Sequence, residues 1–331
     1  MPPEWAEHQR TFMEWPVKEA GWPEPFEHIL PAFAAIVKAI ARFEPVTVLA
    51  NPHLSEEAAG FCGPEIEIIP IEHNDSWMRD NGPTFLVNKE GKLAGVNWIF
   101  NAWGGKYPSQ LDNLVAPRLL ELLRIPCFNA PLVMEGGSFH VDGEGTLLTT
   151  EECLLNPNRN PGLQRAEIEA YLKAYLNVAK IIWLKRGWRG DDTDGHIDNV
   201  ACFAAPGVAL VQVCSDRRDP NYEISRENLE ILRKATDAKG RRLRIIEIEQ
   251  PPAAYYADQR LTLSYLNFYF VNSGIIMPVF GNPQTDRAAC SILRETFPDR
   301  KIITVDGLII ARGGGNVHCL TQQMPANKSE K

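Results

Sequence analysis

Four stretches of this chain read as strand, turn, strand, and their spacing limits the folds open to it. They are TFLV-NKEG-KLAGVNW around Gly91, SFHV-DGEG-TLLTT around Gly145, NVACF-AAPG-VALVQV around Gly207 and LNFYFV-NSG-IIMPVF around Gly274. Strand-type runs on either side of a glycine-bearing turn are a hairpin signal. The turn glycines lie 54, 62 and 67 residues apart. Between hairpins the apolar period lengthens from two to about 3.6, as a helix with one buried face requires. One helix is predicted with Pro31 in its first turn and Phe33, Ile36, Val37 and Ile40 on one face. A second follows Pro161-Gly162 and carries Ile168, Tyr171, Leu172, Tyr175 and Leu176. A third runs through Ile224, Leu229, Ile231 and Leu232 and is expected to stop at Gly240; a fourth covers 285–297. Short apolar strands accompany them: VTVLA, IEIIPI, KIIWL, RLRIIEIE and KIITV.

A unit of strand, strand, helix, strand that recurs every 50–70 residues or so predicts an α/β fold arranged as a closed ring of modules. No Ser/Gly-rich linker or charge run interrupts it, so residues 1–331 read as a single domain. An ordinary doubly wound α/β sheet is the competing architecture. It alternates helices with single strands, and the hairpins count against it.

Charge and cysteine usage narrow the functions. Net charge is −8, and no basic cluster exceeds Arg217-Arg218 or Arg241-Arg242. That disfavours nucleic acid and favours a cationic small molecule. The seven cysteines are scattered with no C-x-x-C pair, which argues against a disulfide framework or a zinc site and for a reducing, cytoplasmic setting. No apolar run reaches the roughly 18 residues a membrane span needs. The opening MPPEWAEHQR does not read as a secretory signal. A homo-oligomer is left open.

The polar words fall at matching places in the units: NDSWMRDNGP (74–83), MEGGSFH (134–140), GDDTDGHIDN (190–199) and RGGGNVHCLTQQ (312–323). In a ring, equivalent positions converge on the axis, so these words are expected to meet. His196 and Asp198, two apart at the start of an apolar strand, would share a face. His318 and Cys319 would point to opposite faces, so only one serves the pocket. Asp80 and Glu135 stand beside tight turns. Each residue has an ordinary explanation too. Buried cysteines are mostly small hydrophobes, His196 alone fits a satisfied loop histidine, and Asp75, Asp80, Asp191, Asp192 and Asp194 suit turns and caps. Cys319 stands apart because a glycine triplet and polar residues flank it. The triplet lacks the context of a phosphate loop. Metal binding by His196, Asp198 and Glu135 is disfavoured because no closely spaced second ligand pair accompanies them.

At these words the chain resembles the agmatine deiminase family, within the guanidino-group-modifying (pentein) superfamily. The matching segments are WMRD-N-GP, EGGSFHVDGEGTLLTTEECLLNPNRNP, DDTDGHIDNVACF, SYLNFY and GGGNVHCLTQQ, in family order along nearly the whole chain. The resemblance implies a five-bladed pseudosymmetric α/β propeller of ββαβ repeats, one catalytic domain without cofactor or metal. It implies Cys319 as nucleophile, His196 as acid and base, Asp80 and Asp198 gripping a guanidinium, and Glu135 near the reacting group. The reaction implied is hydrolysis of agmatine to N-carbamoylputrescine and ammonia through an S-alkylthiouronium on Cys319, a step of polyamine metabolism. One segment departs: AAYYADQRLTL (253–263) stands where similar enzymes carry EG-x-x-PRE-x-G, which bears on the pocket for the substrate's tail.

Two carboxylates suit this substrate because a guanidinium presents forked N–H groups to carboxylate oxygens. Asp192, Trp77 and Trp103 are candidates for the ammonium and methylene chain; a turn aspartate and two structural tryptophans are the plainer reading. Arginine would want a cation there, and the words offer only Arg79 and Arg312, with Arg79 expected to face away from Asp80. Deiminases of arginine or peptidyl-arginine, and amidinotransferases, are the alternatives. Carboxylates around Cys319 are expected to raise its pKa until a cationic substrate arrives.

Overall fold

Wherever the sequence places a turn between those paired apolar runs, an antiparallel hairpin forms. The computed structural model describes residues 1–22 and 25–326. Thr84–Val87 pairs with Leu93–Ile99, Phe139–Val141 with Thr146–Thr150, Ala201–Ala205 with Val208–Val213, and Tyr269–Val271 with Gly274–Val279. Gly91, Gly145 and Gly207 take φ of 85°, 101° and 75°, the left-handed region that glycine enters without strain. The fourth hairpin differs. Its left-handed residue is Ser273 at φ 60°, and Gly274 is already in the strand. Glycine stands at 274 for space: a Cβ there would lie 2.7 Å from a ring carbon of Phe43.

The second strand of every hairpin gains a parallel neighbour after a helix. Leu93–Ile99 pairs with Cys127–Val133 across the helix Val115–Leu122, and Thr146–Thr150 with Lys180–Leu184 across Arg165–Leu176. Val208–Val213 pairs with Arg244–Glu249 across Asn221–Lys234, and Gly274–Val279 with Lys301–Asp306 across Pro283–Thr296. Local chemistry starts these helices. Gln164 and Glu167 form a reciprocal capping box, and Asn282 accepts from the N–H groups of Gln284 and Thr285 ahead of a first-turn proline.

A fifth sheet joins the two ends of the chain. Gln322–Pro325 runs antiparallel to His8–Glu14, which is parallel to Val46–Ala50, which is parallel to Glu67–Pro70. The helix Ile29–Ala41 covers this sheet and buries Phe33, Ile36, Val37 and Ile40, the face the periodicity marks out. Val46–Ala50 is buried throughout, as a strand covered on both faces must be. The sheets are separate, apolar clusters fill the space between sheets and helices, and a two-stranded ribbon, Tyr255–Tyr256 with Gln259–Arg260, lies outside them. Among the described residues no helix is long and apolar enough to cross a membrane.

One boundary needs correcting. The third helix ends at Lys234, not at Gly240, because Ala235 turns extended at ψ 155° and Thr236 bridges to Arg242. Gly240, at φ 81°, belongs to the turn that bridge closes. Packing can be tested on the helix Val115–Leu122. Leu119 is fully buried whereas Leu122 is 54% exposed. Leu119→Ala is expected to cost about 2–5 kcal/mol and Leu122→Ala less than about 0.5 kcal/mol, read from urea unfolding midpoints.

Candidate active site

The four polar words meet, and Gly137 shows how closely. A Cβ at this position would lie 2.6 Å from His196 Nδ1, 2.9 Å from Asp198 Oδ2 and 2.9 Å from Asp80 Oδ1. Only glycine lets the three side chains close over the backbone, and its N–H donates to Asp80 Oδ1 at 2.9 Å. The fourth word brings Cys319, whose Sγ lies 3.5 Å from Asp198 Oδ2. Asn267 fixes the sulfur from the SYLNFY segment. Its Nδ2 is 3.2 Å from Sγ, and its Oδ1 accepts from the backbone N–H of His318 at 3.0 Å. The glycine triplet lets the chain pass close to aromatic rings: a Cβ on Gly315 would meet Trp77 at 2.4 Å, and one on Gly313 would meet Trp22 at 2.6 Å. Those two indoles stack at 5.1 Å.

Two expectations about local geometry need correcting. His196 and Asp198 are not on a strand. Residues Ile197–Asn199 form a 3-10 turn and the strand begins at Ala201, yet both side chains reach the same spot because the turn wraps them around Gly137. His318 is also part of the site, so the expectation that only one of these two neighbours serves it does not hold: both meet Asp198 Oδ2. His318 Nδ1 lies 2.9 Å from Asp198 Oδ2, and its Nε2 lies 3.0 Å from Glu4 Oε1. Glu4 also meets Arg79 at 3.4 Å and His140 at 3.4 Å. Arg79 faces away from Asp80, as expected, and its Nη2 donates to Gln323 at 2.8 Å.

Glu135 is held by Arg159 Nε at 2.6 Å, and Arg159 also reaches Asp194 at 2.7 Å. His196 lies between two carboxylates, Nδ1 at 3.8 Å from Asp80 and Nε2 at 3.7 Å from Glu135. Both distances exceed a hydrogen bond, so both buried ring nitrogens, and Asp198 Oδ1 as well, lack a partner. Buried polar atoms are ordinarily paired, and three unpaired ones in one place leave room for a hydrogen-bonding ligand.

The electrostatics follow from this crowding. Burial, then the Asp198 and Asp80 carboxylates, push the Cys319 thiol well above its ordinary range. Burial works against charge on His196, but Asp80, then Cys153 and Glu135, overcome it and hold the imidazole well above its usual value. Burial likewise opposes ionisation of Glu135 and Asp198; His196 and Arg159 bring Glu135 down, and His318 brings Asp198 down. Asp80 stays raised, by burial and by its neighbours Asp198 and Glu135.

From this floor a cleft with about 550 Å³ of empty space opens between Trp22, Asp75, Trp77, Asp80, Trp103, Tyr107, Asp192 and Cys319. Trp103 Nε1 donates to Asp80 Oδ2 at 2.9 Å, so this indole orients a floor carboxylate as well as lining the wall. Asp192 stands at the mouth, its side chain 52% exposed, accepting from Tyr107 at 2.7 Å. Asp75, which the sequence suggests is a turn residue, lines the cleft and accepts from Trp77 Nε1 at 2.9 Å. Burial raises it to about 7. No residue of 253–263 lines the cleft among the described residues. Asn267, Glu4, Arg159 and Tyr107 are the participants that motif reading passes over. Asn267 and Arg159 lie inside matching segments, whereas nothing in the sequence singles out Glu4.

A buried thiol facing carboxylates, on hairpin-plus-parallel-strand sheets, defines an α/β protein suited to hold a flat cation against sulfur. The Porphyromonas-type peptidyl-arginine deiminase family matches residues 1–325, and the chain belongs to that family. It is 46% identical to the agmatine deiminase of Stutzerimonas stutzeri over 98% of this chain and 95% of that one. To the agmatine deiminase of Medicago truncatula it is 42% identical over 98% and 96%. The solved agmatine deiminase of Enterococcus faecalis superposes with a TM-score of 0.95 at 37% identity, covering 99% of this chain and 96% of that one.

Glu4→Gln tests the buttress behind Asp198. Burial opposes the Glu4 charge, but His318, Arg79 and His140 hold its carboxyl well below the usual range. Such a group adds stability above its unfolded pKa and loses it as pH falls through the folded one. The variant should be less stable by about 3–5 kcal/mol at pH 7, with a deficit that shrinks at pH 3. Equal deficits in urea unfolding at both pH values would contradict the assignment.

Proposed function

We propose that this chain is a guanidine hydrolase that converts agmatine to N-carbamoylputrescine and ammonia, with Cys319 as nucleophile. The observation that carries the reading is a cleft lined by Cys319 and Asp80, with Asp198 at 3.5 Å from the sulfur and, at 3.8 Å from Asp80, a buried His196 whose ring nitrogens have no partner. Asp80 and Asp198 grip the guanidinium by its N–H forks. The arriving positive charge lowers the thiol's pKa, the proton is relayed by Asp198 to solvent so that Asp198 remains ionised, and the thiolate attacks the guanidine carbon. Protonated His196 gives its proton to the departing nitrogen, which leaves as ammonia, and an S-alkylthiouronium remains on Cys319. The neutral imidazole then takes a proton from water as the water attacks the same carbon. As the adduct collapses, its C–S bond breaks, its hydroxyl proton returns by way of Asp198 to the departing sulfur, and the ureido product leaves with the Cys319 thiol regenerated. Glu135, fixed by Arg159, supports the imidazolium and takes a further substrate N–H.

The cleft favours agmatine over arginine. Asp75 and Asp192 stand where the tail emerges, and among the described residues no lysine or arginine lines the cleft. Lys106 is close by, but its ammonium is committed to Asp194 at 2.9 Å. Two carboxylates suit a terminal ammonium and repel an α-carboxylate, while Trp77 and Trp103 cover the methylenes. In the same reading the five sheets are the blades of a pseudosymmetric α/β propeller and residues 1–331 form one catalytic domain; the recurring hairpin, helix and parallel strand support it. All seven cysteines are free, which supports a cytoplasmic setting, and the N-carbamoylputrescine product would place the reaction in putrescine formation.

Ammonia release from agmatine, arginine and a blocked arginyl peptide should favour agmatine, and Cys319→Ala should bind agmatine without releasing ammonia. Turnover of arginine or the peptide above agmatine would overturn the substrate assignment. The raised thiol predicts slow alkylation of the free enzyme by iodoacetamide at pH 7, accelerating only at alkaline pH. Asp75, at about 7, gains charge as pH rises, so the KM for agmatine should fall between pH 6 and 8 and Asp75→Asn should flatten that fall.

A further inference from the structure

Beside the catalytic pocket lies a thiol the reaction does not use. Cys153 is fully buried in the first turn after Thr150, whose Oγ1 accepts its N–H. Its Sγ lies 3.9 Å from Glu135 Oε2, and the same oxygen lies 3.7 Å from His196 Nε2. The three donor atoms all fall within 4.8 Å of one another. In a tetrahedral zinc site, with bonds of about 2.0–2.3 Å, neighbouring ligand atoms stand roughly 3.3–3.7 Å apart, so small inward shifts would bring these atoms to coordination distance. Arg159 occupies Glu135 Oε1 at 2.6 Å and leaves Oε2 facing the cluster. The imidazole has no partner on either nitrogen. Thiolate, imidazole and carboxylate together select a borderline-soft divalent ion such as Zn²⁺ over Mg²⁺ or Ca²⁺. Asp80, which lines the cleft, lies 3.8 Å from the other ring nitrogen, His196 Nδ1.

We propose that Cys153, His196 and Glu135 form an inhibitory Zn²⁺ site, in which the ion displaces the Cys153 proton and takes the imidazole and carboxylate out of the reaction. The inhibition rests on the function proposed above; the binding does not. The test uses full-length Cys127→Ser/Cys319→Ala protein, which lacks the exposed thiol and the nucleophile, titrated with Co²⁺. The expected result is a thiolate-to-cobalt band in the near ultraviolet with tetrahedral bands in the visible, all displaced by Zn²⁺ and absent once Cys153→Ser is added. In parallel, Zn²⁺ should inhibit ammonia release by the wild type, reversibly with a chelator, and Cys153→Ser should need at least tenfold more Zn²⁺ for the same inhibition. Serine keeps the side-chain shape, and a thermal melt of each variant separates a folding defect from lost binding; if the serine protein melts early, Cys153→Ala is read instead. A cobalt spectrum unchanged by removal of Cys153, or equal Zn²⁺ sensitivity with and without it, overturns the proposal. A Cys153-dependent spectrum with no ammonia released from agmatine would instead fault the function and leave the site standing.

Discussion

Three carboxylates and a thiol share a space that excludes bulk water, and the charge on them must be balanced. Asp80, Glu135, Asp198 and Cys319 are all buried. Arg159 answers Glu135, His318 answers Asp198, and His196 stands between Asp80 and Glu135 without a full hydrogen bond to either. The balance is incomplete, because Asp80 and Cys319 both remain raised. In the proposed function a planar cation completes this balance. Its arrival would favour ionised Asp80 and the Cys319 thiolate together, so in that reading binding and activation of the thiol are one event. Fixed carboxylates aimed at a reacting cation need little reorganisation during the reaction, which is where electrostatic catalysis is most effective.

The scaffold brings that chemistry together through its least regular pieces. Gly137 lets His196, Asp198 and Asp80 close over one backbone position, and the 313–315 triplet carries Cys319 past two indoles. The sheet that joins the chain ends sets the depth of Cys319. Cys319 comes just before the strand Gln322–Pro325, its carbonyl accepts from Arg79 N–H at 3.1 Å, and Arg79 also holds Gln323. The N-terminal segment contributes Glu4 behind His318. Loosening either end would disturb the position of Asp198 as well as the fold.

What could be read from the residues alone follows from the range of the forces involved. Hairpins and four helices are legible because period and turn chemistry are local. The helix Val115–Leu122 and the strand Cys127–Val133 are not. The helix has only two turns with Pro117 inside and apolar Leu114 and Leu122 exposed, which blurs the amphipathic pattern. The strand carries Pro131, exposes Phe128 and alternates poorly. Misplacing the helix stop at Gly240 has a similar origin, since a glycine signals a left-handed turn but not which turn. The convergence of Asp80, Glu135, His196, Asp198 and Cys319 is foreseeable from motif words at matching places. Their fine geometry is not. The expected face of His196 and Asp198 assumes a strand that is a 3-10 turn, and Glu4 reaches the site through a contact 314 residues distant in the chain, beyond any local pattern.

The central claim is that Cys319 forms a bond to the guanidine carbon while His196 delivers and recovers the proton. Rapid acid quench of the enzyme turning over agmatine, followed by intact-mass and peptide mass spectrometry, tests it most directly. The account predicts a transient adduct equal to agmatine less ammonia, confined to the peptide bearing Cys319 and absent in Cys319→Ala. Ammonia release at the wild-type rate with no adduct on that peptide, or an adduct on a different cysteine, would contradict it.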